Sequence, residues 1–129
     1  MEKEWNVLVV SPLLAHRNYL LQAFRHLLSL NSFVVTTNQQ ARELLSSISF
    51  DVVFCDENTA DGSYRELLSL ALAQDKPRFI VILSEEEGQG YLEAIRLGAI
   101  KVLACPLQLS DIDAVLLDAL RADSEQTHL

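Results

Sequence analysis

The chain has 129 residues, 50% of them hydrophobic and 22% charged, with a formal net charge of -8. That is the length of one domain and enough apolar material for one core, which excludes a disordered chain. The acidic balance, with no Lys/Arg cluster to offset it, argues against a nucleic-acid partner, because phosphate backbones are repelled.

No apolar run is long enough to span a bilayer, and the mixed-charge start Met1-Glu2-Lys3-Glu4-Trp5 is not a signal peptide. The expectation is a cytoplasmic protein without membrane insertion. Cys55 and Cys105 form no CxxC or metal-type spacing and read as reduced thiols. His16, His26 and His128 share no ligand spacing, so no metal site is expected on them.

In chain order, the first strand is expected at residues 6–10, rich in Val. Leu20, Ala23, Phe24, Leu27 and Leu28 then recur at helical spacing. A second strand is expected at 33–37, and Asn38 is the expected cap of a helix carrying Ala41, Leu44, Leu45 and Ile48. A third strand covers 52–56, and a third helix uses Tyr64, Leu67, Leu68, Ala71 and Leu72. A fourth strand at 79–83 leads to a short helix at 90–97, stopped by Gly98. A fifth strand spans 100–104. The last helix is expected to start at Ser110, with Asp113 completing a capping box and Ile112, Val115, Leu116, Ala119 and Leu120 facing inward. Domain limits of 1–121 follow, with 122–129 a polar tail.

Regular β-α alternation predicts an α/β fold of three layers, a parallel five-stranded sheet with helices on both faces. The first, third and fourth strands are continuous apolar runs, as in strands covered on both faces. The second ends in Thr36-Thr37 and the fifth carries Lys101, which suits edges. The flavodoxin-like (βα)5 order 2-1-3-4-5 meets both conditions. Sites in such sheets lie outside the carboxyl ends of the strands. Here that places Ser11-Pro12, Asp56-Glu57-Asn58, Ser84 with Glu85–Glu87, and Cys105-Pro106 together.

The run Phe50-Asp51-Val52-Val53-Phe54-Cys55-Asp56, followed by Thr59-Ala60-Asp61-Gly62-Ser63, resembles the acceptor strand and loop of response-regulator receiver (CheY-like) domains. Residues 80–84 are similar to that family's fourth strand with its terminal Thr/Ser. Gly98-Ala99, then Val102-Leu103-Ala104-Cys105-Pro106-Leu107, resembles its closing motif. The resemblance covers residues 5–121 or so. It implies a non-enzymatic signalling module in which an Asp accepts a phosphoryl group with the help of Mg²⁺, and it makes Asp56 the candidate phosphoacceptor and Ser84 the candidate phosphate contact.

The departures are as informative. The positions of the family's acidic pair hold Ser11 and Pro12, and its lysine position holds Cys105, whose thiol is no ammonium. Its switch aromatic is Val102, and the Pro of its acceptor loop is Ala60. Ser11, Pro12 and Cys105 thus mark a degenerate pocket, in which no catalytic residue and no metal ligand is expected. Phosphoryl transfer rests on positioning and charge neutralisation. Mg²⁺ needs hard oxygen ligands, and Asp56 has only Glu57 or Glu85–Glu87 as conceivable help, so Mg²⁺ binding is expected to be weak or absent.

Each signal also has a plain structural reading. Ser11-Pro12 can be a helix start with Ser as N-cap, Asp61-Gly62 a turn, Glu85–Glu87 a solvated loop, and both cysteines apolar fillers. A redox role for Cys105 is disfavoured because a neighbouring carboxylate raises a thiol pKa.

The expected function is a receiver-like module of a two-component or phosphorelay system, a pseudo-receiver acting by protein–protein contact with impaired phosphorylation. Its partner would be a histidine kinase or downstream effector, and a homodimer could form through the fourth helix, fifth strand and fifth helix. A working phosphoacceptor using Asp56 is one alternative. A flavodoxin-like enzyme or ligand-binding domain is another, but Gly62, Gly88, Gly90 and Gly98 include no phosphate-cradling glycine after the first strand. A receiver without an output domain would act through protein contacts alone; a fragment of a longer regulator is the other possibility.

Overall fold

Alternation of inward-facing residues along each strand, with an apolar face on either side, needs helices above and below the sheet. The structure, a computed structural model, describes residues 4–27, 29–74, 77–84 and 89–127, with side chains described up to residue 121. Leu28, Glu85–Glu87 and His128 lie outside the described residues.

The elements are β1 (Trp5–Val10), α1 (Leu14–Phe24), β2 (Leu30–Val35), α2 (Asn38–Ser47) and β3 (Val52–Asp56). Two short strands, β4 (Asn58–Thr59) and β5 (Gly62–Ser63), pair as a hairpin. Then come α3 (Tyr64–Ala73), β6 (Arg78–Leu83), α4 (Gln89–Leu97), β7 (Lys101–Ala104) and α5 (Leu109–Thr127). The large sheet runs β2-β1-β3-β6-β7, all pairs parallel. With the hairpin set aside this is the expected order 2-1-3-4-5, and β2 and β7 are the edges. Lys101 is exposed there, whereas every residue of β3 is buried.

The two-residue period sorts the core. Val7, Val9, Val52, Phe54, Ile80 and Ile82 face one side, where α1 and α5 cover them with Leu20, Phe24, Ile112 and Leu116. Leu8, Val10, Val53, Cys55, Phe79 and Val81 face the other, against Ala41, Leu45, Leu67 and Leu68. Phe24 tilts against Phe54 at 5.5 Å between centroids and ties α1 to β3, and Phe33 of β2 meets Phe50, just before β3, edge-on at 5.3 Å.

Five local expectations change. The second strand begins and ends earlier than 33–37, because Thr36 and Thr37 lead into α2. Thr37, not Asn38, caps that helix: its hydroxyl accepts from Gln40 N at 3.1 Å, and Gln40 Oε1 accepts from Thr37 N at 3.3 Å. Asn38 is instead buried, its amide accepting from Thr59 Oγ1 at 2.7 Å and donating to Ser63 O at 3.1 Å, which pins the hairpin.

The last helix begins at Leu109, so Ser110 lies inside it, and Asp113 Oδ1 is buried with no hydrogen-bond partner among the described residues. That helix continues through Thr127 rather than ending in a tail near residue 121. Leu72 is exposed rather than core, yet it lies under Gly98, whose φ of 119° ends α4.

Candidate functional site

Parallel register brings the carboxyl ends of β1, β3 and β7 to one edge of the molecule. Ser11 follows β1 and is fully buried, its N–H donating to Val35 O at 3.0 Å. Asp56 is the last residue of β3, beside Ile82 of β6, and is 4% exposed. Cys105 follows β7, half-buried, its N–H donating to Leu83 O at 3.0 Å. Backbone bonds between adjacent strands therefore fix all three.

A carboxylate at that depth requires donors, since a buried unpaired charge is costly. Ser11 supplies one: its hydroxyl donates to Asp56 Oδ2. The second comes from a residue that spacing did not single out. His16, in the first turn of α1, places Nδ1 2.8 Å from Asp56 Oδ1, with side chains 17% and 6% exposed. Its other ring nitrogen, Nε2, lies 3.3 Å from Cys105 Sγ. An ionised carboxylate only accepts, so Nδ1 carries the proton and, in the neutral ring, Nε2 accepts from the thiol. The result is one chain of contacts, Ser11–Asp56–His16–Cys105.

Ser11 is not the helix N-cap. That position is Leu13, which has no side-chain cap, and Ser11 Oγ accepts from Leu13 N at 3.1 Å while it serves Asp56. Arg17 Nη1 donates to Ser11 O at 2.9 Å and holds the same loop. Pro12 is exposed and, with Leu13, His16, Asp56, Glu57 and Ser84, lines a pocket of about 180 Å³. Ser84 sits across this pocket, exposed, and no bond to Asp56 is formed; its hydroxyl points to Glu57 Oε1 at 3.5 Å. The structure thus joins Ser11, Asp56 and, through His16, Cys105, and leaves Ser84 apart.

Two other groups are structural. Burial, and then the charge of Asp56, push the Cys55 thiol well above its ordinary range. Asp61 accepts from Asn38 N at 2.5 Å and Gln39 N at 3.2 Å. It therefore serves the N-terminus of α2 as well as a turn, and the Asn38 N–H foremost holds its carboxyl below the usual range.

No protein-family profile and no curated protein matches the sequence. Solved structures do. The signal receiver domain of an HD domain-containing protein from Pseudomonas fluorescens superposes with a TM-score of 0.87 at 20% identity, covering 100% of this chain and 96% of that one. A CheY-like response regulator receiver domain protein from Methanospirillum hungatei gives 0.85 at 14% identity, over 96% and 99% of the two chains. A two-component response regulator from Clostridium difficile gives 0.82 at 18% identity, over 92% and 97%. At such identities the likeness speaks to architecture, and together with the strand order it establishes that this chain has the fold of a response-regulator receiver domain.

Proposed function

We propose that the chain is a receiver-like signalling module of a two-component or phosphorelay system that works by protein contact, without Mg²⁺-assisted phosphorylation of Asp56. The observation that carries this reading is the occupation of both Asp56 oxygens, Oδ2 by Ser11 and Oδ1 by His16. Phosphoryl transfer to a carboxylate needs a free oxygen for attack and a cation to neutralise the charge that develops.

The donor set does not fit Mg²⁺. That ion takes hard oxygen ligands in octahedral geometry, and the two positions beside Asp56 offer a committed hydroxyl and a proline. Among the described residues, no group of three or more His, Cys, Asp and Glu side chains could hold a metal ion. Where the family places an ammonium, Cys105 faces the imidazole of His16. Losing the metal and that charge removes several kcal/mol of transition-state stabilisation, about a thousandfold or more in rate.

The contact face favoured is α4–β7–α5. Leu92, Ile95 and Leu117 are 58%, 39% and 44% exposed on its two helices, beside a groove lined by Val102, Ala104 and Val115. A histidine kinase or downstream effector is the proposed occupant, with a second copy of the chain as the alternative. No helix among the described residues is long and apolar enough to cross a membrane.

Incubation with acetyl phosphate and Mg²⁺, read by intact mass beside Asp56→Ala, tests the reading. No phosphate-sized adduct is expected under conditions that label an ordinary receiver. An adduct in the wild type that is lost in the variant overturns the proposal and makes Asp56 a working phosphoacceptor.

A further inference from the structure

We infer that Cys105 is a reactive thiol served by His16 as general base and Asp56 as orienting carboxylate, and that it forms mixed disulfides with low-molecular-weight disulfides. The three side chains come from three separate elements: the loop after β7, the first turn of α1 and the end of β3. Their order is that of an activated nucleophile, with the base within reach of the thiol at 3.3 Å and held from behind by a carboxylate at 2.8 Å.

Access is provided from outside. Cys105 lines the groove of about 520 Å³ that also takes in Tyr91, Pro106 and Asp111. Cys105 is thus only partly buried and borders solvent-filled space, the side from which a small disulfide would approach. Cys55 has no such access: it is buried in the core on the α2–α3 side, whereas Cys105 packs on the α1–α5 side.

At rest the sulfur is a thiol, because burial foremost and the charge of Asp56 next raise its pKa. A carboxylate acting alone would only blunt the sulfur. With His16 between them, the same carboxylate fixes the ring so that Nε2 can take the proton during attack and stabilises the imidazolium that forms. In the step itself, the Cys105 proton passes to Nε2 and the sulfur attacks one sulfur of the disulfide. The new S–S bond forms as the old one breaks, and the departing thiolate takes the proton back from His16. One disulfide and one thiol are consumed, and one mixed disulfide and one thiol are made. Because Cys55 faces the opposite layer it cannot resolve the adduct, which persists until an external thiol removes it.

The test uses the full chain and a dipyridyl disulfide, with thiopyridone release followed by absorbance and the modified residue mapped by peptide mass. Expected are a single fast equivalent at Cys105, its loss in Cys105→Ser, and a rate already high at neutral pH, well below the range, raised above the ordinary thiol value of about 8.5, in which Cys105 itself ionises. His16→Gln should slow the reaction about a hundredfold at neutral pH, and the gap should close above the thiol range. A merely structural role for His16 would not give that pH-dependent gap. Equal pH profiles for wild type and His16→Gln overturn the inference. If that variant does not fold, the wild-type profile decides alone: a rate that climbs only with thiol ionisation, or labelling of Cys55 ahead of Cys105, overturns it as well.

Discussion

Replacing His16 by leucine removes a ring nitrogen 2.8 Å from the carboxylate of Asp56 and leaves that oxygen without its donor. The two side chains are 17% and 6% exposed, so solvent does little to screen or replace the contact. A hydrogen bond to a charged group under these conditions contributes about 1.5–3 kcal/mol, and abandoning a buried carboxylate adds to the loss. A double-mutant cycle separates the two effects. His16→Leu and Asp56→Asn are made singly and together, and unfolding in urea is followed by the fluorescence of Trp5 and by circular dichroism. The coupling should be about 1.5–3 kcal/mol in favour of the native pair. The single His16→Leu variant should melt roughly 6–12 °C lower, at about 4 °C per kcal/mol for a domain of this size. A further expectation gives the cycle its edge: adding Asp56→Asn to His16→Leu should recover part of the lost stability, because the stranded charge is then gone. Coupling within about 0.5 kcal/mol of zero would refute the claim that the His16 ring stabilises Asp56 through their hydrogen bond.

Gly98→Ala should destabilise by about 1–2 kcal/mol, since an L side chain at a φ of 119° is strained and its Cβ would lie 2.8 Å from Leu72 Cδ1; chemical denaturation checks it. Leu116→Ala, which empties a fully buried site between α5 and the sheet, should cost about 2–5 kcal/mol by the same method. Asp61, whose folded pKa is depressed by the N–H groups of α2, stabilises the protein above the ordinary carboxylate pKa of about 3.9 and loses that contribution as pH falls through the lower folded value. The stability gap between wild type and Asp61→Asn should therefore narrow on acidification, as melting curves at a series of pH values would show. Restoring charge with Ser11→Asp, Pro12→Asp and Cys105→Lys should produce a Mg²⁺-dependent rise in Tm that the wild type lacks, and an equal rise in the wild type would count against the degenerate-pocket reading.

Architecture was legible because it is carried by repeated, local signals. The apolar runs that became β1, β3 and β6 are separated by segments with helical period, and Thr36-Thr37 and Lys101 betrayed the edges. Cap positions were less so. Thr37 and Asn38 are both good N-caps by type, and only the hairpin across the chain decides between them: it takes Asn38 for Thr59 and Ser63, leaving Thr37 and Gln40 to form the box. A tertiary demand on one side chain selected the local structure of its neighbour.

The site was legible one strand end at a time and no further. Position alone brought Ser11, Asp56 and Cys105 to one edge, and their identities signalled a pocket without an acidic pair or lysine. What spacing within the chain does not reveal is the donor that replaces them. The signal was nevertheless present: His16 stands four residues before Leu20 and seven before Ala23, on the stripe that α1 buries against the sheet. A histidine at the end of an apolar stripe, one turn past the tip of β1, points at the carboxyl ends of the strands and needs a polar partner there. Asp56 is that partner. The carboxylate and the imidazole satisfy each other, and the same ring that occupies Asp56 Oδ1 presents its second nitrogen to Cys105. Ser11 and Cys105 are then parts of one network: the hydroxyl donates to Asp56 Oδ2, and the thiol faces the ring nitrogen that Asp56 leaves free.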